Sequence, residues 1–76
     1  MIVKKVPMVY DKEHECWRVE AWGQSFGLHC GEGLQLHLGR RVLPGRLELG
    51  KSWYVIVDED AFGLLEGRKY TVSVNI

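Results

Sequence analysis

The sequence is poor in most features that announce chemistry. Only two cysteines, Cys16 and Cys30, occur in 76 residues, so at most one disulfide could form and a cysteine scaffold is excluded. His14, Cys16, His29, Cys30 and His37 are zinc-ligand types, but none forms the C-x2-C pairing that gathers four ligands cheaply. No apolar run approaches the ~20 residues of a membrane span, and the opening MIVKKVPMVY lacks the apolar core of a signal peptide. A cytoplasmic protein with two reduced thiols and no metal is the expectation. Ten basic residues balance ten acidic ones, which removes any global field toward nucleic acid or membrane. No ten-residue stretch repeats its apolar residues at helical spacing, so the chain reads as all-β.

The same scarcity argues against catalysis. Phosphate-cradling glycine loops need a helix behind them, and no helix is expected. Cys16 with His14 and Cys30 with His29 are neighbours in sequence only, and adjacent strand residues face opposite sides of a sheet. Asp58-Glu59-Asp60 lacks the D-x-D-x-D-G order that wraps calcium and reads as a solvated turn. Neither an enzyme nor a cofactor is expected.

What is present is a repeat. Residues 17–38 and 53–74 align without a gap at an offset of 36 positions. Trp17 falls on Trp53, Val19 on Val55, Phe26-Gly27-Leu28 on Phe62-Gly63-Leu64, and Gly31 on Gly67. Those six identities exceed the roughly one or two expected by chance, and such self-similarity is architectural. Lys4-Lys5-Val6 falls on Arg40-Arg41-Val42 at the same offset, so each half reads as one strand followed by a three-stranded meander.

Along the chain, residues 2–10 form an apolar strand in which Pro7 predicts an edge position or a break. Trp17, Val19 and Ala21 alternate with Arg18 and Glu20, the period of a half-buried strand. Trp22-Gly23 begins a turn with Gly23 at positive φ. Leu34, Leu36 and Leu38 alternate with Gln35 and His37, and Gly39-Arg40 is a tight hairpin turn. Pro44-Gly45 interrupts residues 41–49 and predicts a bulge or bend. Trp53 to Val57 is apolar on both faces and is expected to be central. Gly31 and Gly67, which precede the alternating strand in both copies, are expected to share a positive φ. One lone meander cannot cover its apolar face. A single domain over 1–76 is therefore expected, as a small SH3-like or related β-barrel of two meanders or, second, a two-layer β-sandwich.

Function must then lie on a surface. Residues 39–52 carry Arg40, Arg41, Arg46 and Lys51 against Glu48 alone, and Tyr54 projects away from Trp53 on the next strand. A protein-interaction module using the Arg46/Glu48/Tyr54 face and the sheet edges is the first expectation, with Tyr and Arg as anchors. A single-strand nucleic-acid binder is the alternative, holding phosphates on the basic hairpin and stacking a base on Tyr54. Plain pairing of Arg46 with Glu48 would weaken the second reading.

Several of these pieces occur in a familiar order. Leu28, Cys30, Gly31 and Glu32, then Pro44-Gly45-Arg46-Leu47-Glu48, then Trp53-Tyr54, and finally Tyr70-x-Val72 resemble the pattern of a family of short bacterial proteins. That family is known only as a domain of unknown function, number 5348 in its series. The resemblance spans most of the chain from Tyr10 onward. It implies no activity, cofactor or catalytic residue, and only slight weight toward partners in nucleic-acid transactions.

Overall fold

A computed structural model describes residues 1–76. It contains eight strands and no helix: β1 (Ile2–Asp11), β2 (Cys16–Ala21), β3 (Gln24–Gly27), β4 (Gly33–Leu38), β5 (Arg41–Leu49), β6 (Trp53–Val57), β7 (Asp60–Gly63) and β8 (Tyr70–Asn75). No helix is therefore long and apolar enough to cross a membrane. All eight strands belong to one antiparallel sheet in the order β3-β2-β1-β8-β4-β5-β6-β7. The sheet is open at β3 and β7, where the sequence led us to expect a closed barrel or two layers.

The sheet nevertheless curls strongly. Phe62 on β7 and Tyr70 on β8 stand four strands apart, about 19 Å on a flat sheet. Their rings meet edge to face with centroids 6.5 Å apart. Curling brings the inward side chains of both wings into one cluster of 13 buried residues. Trp17 and Trp53 both belong to it, as the repeat predicts, and Trp17 lies edge-on between Tyr10 and Tyr70 at 5.4 and 5.6 Å.

The two copies share local contacts but are assembled differently from the expectation. Leu28 N–H bonds to the Trp17 carbonyl and Leu64 N–H to the Trp53 carbonyl, the same contact 36 positions on. The turns closed by Glu32 N–H to His29 O and by Arg68 N–H to Leu65 O also correspond. Yet 17–38 and 53–74 are not three-stranded meanders. The meanders are β1-β2-β3 and β5-β6-β7, while β4 and β8 pair with each other at the centre. Leu36 faces Val72 there. These two occupy one position of the repeat, so the local twofold runs through that pair. Each half's last strand leans on the other half: β8 lies beside β1 and β4 beside β5. The first loop explains why. Leu28 is tied back to Trp17, while Gly31 N–H and Glu32 O are bonded to Leu47 at 2.7 and 2.9 Å. β4 therefore starts beside β5 and cannot run beside β3.

Four local expectations change. β1 is an unbroken interior strand, and Pro7 escapes penalty because the β1–β2 ladder begins only at Met8. Pro44-Gly45 makes no bulge in the β4–β5 ladder, which keeps one register from Gly33 to Leu38. Pro44 lies where β5 has only β4 beside it, since β6 pairing begins at Arg46. β6 is second from one end of the sheet, and its outward Tyr54 and Ile56 are only half-buried. Gly31 has φ +89°, but Gly67 lacks a positive φ. Gly31 turns to reach Leu47, whereas in the second loop it is Leu65 N–H that finds a partner, the Tyr70 hydroxyl at 2.9 Å.

Candidate binding surface

The hairpin residues singled out from the sequence do not form one patch. Arg40 sits in the β4–β5 turn, beside the Leu38–Arg41 pair that closes the ladder. Lys51 lies in the β5–β6 turn at the far end of β5, roughly 26 Å away for eight residue steps. Arg46, Glu48 and Tyr54 do come together on the outer face, where Glu48 stands opposite Tyr54. Arg46 Nε bonds to a Glu48 carboxylate oxygen, and the Tyr54 ring lies against Gly50. The charge of Arg46 is thus already answered within the chain.

A different concavity occupies the outer face of β1, β8, β4 and β5. It is a groove of about 690 Å³. Gln35, Ser73 and Asn75 line its floor with Gly33 beside them, and Ile2, Leu34 and Val74 add apolar surface. Lys4 and Lys5 form one bank and Pro44-Gly45 the other, with His37 at one end. Past His37 a second recess continues to Arg40, sharing Lys5 with the first. No carboxylate and no phenyl, phenol or indole ring lines either hollow; the one ring there is the His37 imidazole.

A bulge in β1 builds this groove. Val3 pairs with Val74 and Val6 with Val72, so Lys4 and Lys5 together oppose Ser73 alone. In a regular strand one of two consecutive lysines would point into the core. Here Lys5 adopts φ +52°, the left-handed region that costs a non-glycine residue about 1 kcal/mol or more. The extra residue restores the inward phase of Val3, Val6 and Met8 and leaves both lysines exposed. Bulges often re-aim side chains beside functional sites.

Ser73 holds the bulge in place. It is 5 % exposed, the one polar residue in the buried set. Its Oγ accepts the Lys5 N–H at 3.1 Å, a donor displaced from the ladder by the bulge, and lies 2.8 Å from Nε2 of His37. Ser73 and His37 are again one position of the repeat, meeting diagonally across the Leu36–Val72 pair. Sequence reasoning missed this site. The available signal was the three-residue spacing of Val3 and Val6, where strand alternation demands two.

Other titratable groups have structural roles. Asp11 closes the β1–β2 turn: its Oδ1 accepts the N–H of Glu13 and His14, and its Oδ2 lies 2.6 Å from His14 Nδ1. The His14 hydrogen bond, helped by these amides, holds the Asp11 carboxyl below its ordinary range. Asp11, Glu13 and His14 also bring possible ligand atoms within 4.8 Å of one another, an arrangement this turn produces by itself. Burial, then the nearby Glu66, push the Tyr10 hydroxyl upward, while Trp53 beside it acts the other way. Cys16 is half-buried and Cys30 exposed, both as free thiols.

A family model described as a domain of unknown function, DUF5348, matches residues 6–74. No curated protein matches the chain. Among solved structures, the crystal structure of a protein from Ruminococcus gnavus is similar in fold, with a TM-score of 0.68. The alignment covers 95 % of this chain and all of that one at 24 % identity.

Proposed function

The chain belongs to the DUF5348 family, and from its outer face we propose that it is a non-enzymatic binding module for a protein partner. The observation that carries this reading is the groove over the central strands, open, edged by Lys4 and Lys5 and free of Phe, Tyr and Trp. Single strands are held by phosphate contact together with stacking of bases on aromatic side chains. The groove supplies cations, and its one ring, the His37 imidazole, is already bonded to Ser73. Tyr54, the ring the rival reading would use, stands opposite Glu48, whose charge opposes phosphate, and Arg40 and Lys51 lie at opposite ends of β5.

Catalysis finds little support in the one hydroxyl–imidazole pair. Ser73 Oγ is occupied by the Lys5 amide and buried beneath the bulge. The hydrogen bond of the His37 ring goes to that same hydroxyl, with no carboxylate behind it to orient the imidazole as a base.

Filling the groove tests the proposal. Gln35 is exposed on its floor, so Gln35→Trp should block docking without touching the core. A tagged chain, purified from its own host after nuclease treatment, should retain a defined protein that the variant loses. Retention unchanged by the variant, or bound material removed by nuclease, would refute it.

A further inference from the structure

We infer that the groove takes an extended, carboxylate-rich peptide segment, seated on Lys4, Lys5 and Arg40. This deepens the binding-module reading and rests on it. The chain has ten acidic residues, yet none lines the groove or its adjoining recess. Every ion pair in the protein involves His14, Arg18 or Arg46. Lys4, Lys5 and Arg40, like Lys12, Arg41, Lys51, Arg68 and Lys69, have no ion-pair partner, and these three line one connected hollow free of carboxylates. Most of the acidic groups sit elsewhere: at the β1–β2 turn, including Asp11, Glu13 and Glu15, and at the β6–β7 turn, Asp58 to Asp60. The charge complement of this face is absent from the protein, and an acidic ligand would supply it.

Two structural costs are concentrated at the same place. Lys5 is held in a left-handed conformation, and Ser73 is buried to satisfy the amide this displaces. A regular strand would avoid both and would lose the paired lysines. Strain of this kind persists where the surrounding structure over-determines it, and it gathers at functional positions.

Size and lining then select the ligand. At ~30 Å³ per water, about 690 Å³ corresponds to some two dozen waters, far more than one inorganic anion fills. The hollow continues past His37 to Arg40, so its cations are spread along a line instead of converging on a point. A polymer of negative charge fits this layout. The one ring in the hollow, His37, is bonded to Ser73 Oγ, so bases find no Phe, Tyr or Trp to stack on. The exposed Gln35 amide is free to meet backbone groups; a peptide fits better than an oligonucleotide.

The test uses three defined probes on the whole chain at low ionic strength: a hexaglutamate peptide, a thymidylate hexamer and inorganic phosphate. Hexaglutamate should bind, with backbone NMR shifts concentrated on β1, β8 and β4. The double variant Lys4→Gln/Lys5→Asn, in which asparagine tolerates the left-handed position, should weaken it about tenfold, as removing two screened charges implies. Arg46→Gln on the neighbouring face should leave the affinity unchanged. The inference is overturned if the thymidylate hexamer binds more tightly than the peptide. It is equally overturned if phosphate alone matches the peptide, or if the folded double variant binds hexaglutamate as wild type does. Partner loss in Gln35→Trp without hexaglutamate binding would sink the ligand class and leave the docking face standing. Hexaglutamate binding as described, with partner retention insensitive to Gln35→Trp, would support the ligand class and refute the docking role.

Discussion

Replacing Ser73 with alanine removes one oxygen and orphans two groups. The Lys5 N–H, already out of the ladder, loses the acceptor it reaches at 3.1 Å, and His37 Nε2 loses its neighbour at 2.8 Å. His37 is half-buried and can turn to water, so the backbone donor dominates the cost. An unsatisfied buried donor costs about 1–3 kcal/mol. Sparing the serine hydroxyl its own desolvation offsets part of this, which leaves a net loss of about 1–2 kcal/mol. For a domain of this size that lowers Tm by roughly 4–16 °C. Urea denaturation gives the free energy, and amide hydrogen exchange at Lys5 gives the site, which should change from protected to fast. Thr71→Ala, on the same strand and face but exposed, is the control and should stay within about 0.5 kcal/mol. A Ser73→Ala protein as stable as wild type, with the Lys5 amide still protected, would refute the account of the bulge.

Trp17→Ala should cost about 3–5 kcal/mol, enough to unfold much of so small a domain, since Trp17 is fully buried against Tyr10 and Tyr70; denaturant titration measures it. Gly31→Ala should lose about 1 kcal/mol or more because φ +89° is unfavourable to a side chain even with open space around it. Gly67→Ala, with open space and no positive φ, should be neutral or gain up to ~1 kcal/mol through the unfolded chain. Asp11 has a folded pKa lowered from 3.8, so its contribution is present above that value and is lost as pH falls through the folded one. The Tm difference between wild type and Asp11→Asn should therefore shrink as pH is lowered below 3.8. Finally, residues 1–39 and 40–76 made as separate chains should recombine into the native sheet, because the β1–β8, β4–β8 and β4–β5 ladders all join the two halves; sedimentation and NMR of the mixture check this, and halves that stay apart would contradict it.

Much of the candidate surface was illegible for a definite reason. Arg40, Arg41, Arg46 and Lys51 are close in sequence and look like one ribbon, but a nine-residue strand separates its two ends. Lys4 and Lys5 drew notice only as the counterpart of Arg40 and Arg41. Their importance depends on a bulge whose only trace is one residue of lost alternation, and on Ser73, distant in sequence, which stabilises it. Face-by-face charge is a property of assembled strands. A neutral total conceals it.

The sequence by itself determined the strands, because alternation, glycine turns and two tryptophans 36 positions apart are local facts with local physical consequences. It determined both buried indoles for the same reason. Which strands would be neighbours was decided only in three dimensions. A strand's alternation specifies which side chains turn inward but not whose edge receives its hydrogen bonds, and many pairings satisfy the same pattern. Here the loop bonds from Gly31 and Glu32 to Leu47 carried β4 across to β5, and β8 correspondingly lies beside β1. That exchange set Ser73 between the Lys5 bulge and His37 and opened a cationic groove that neither half of the chain contains alone.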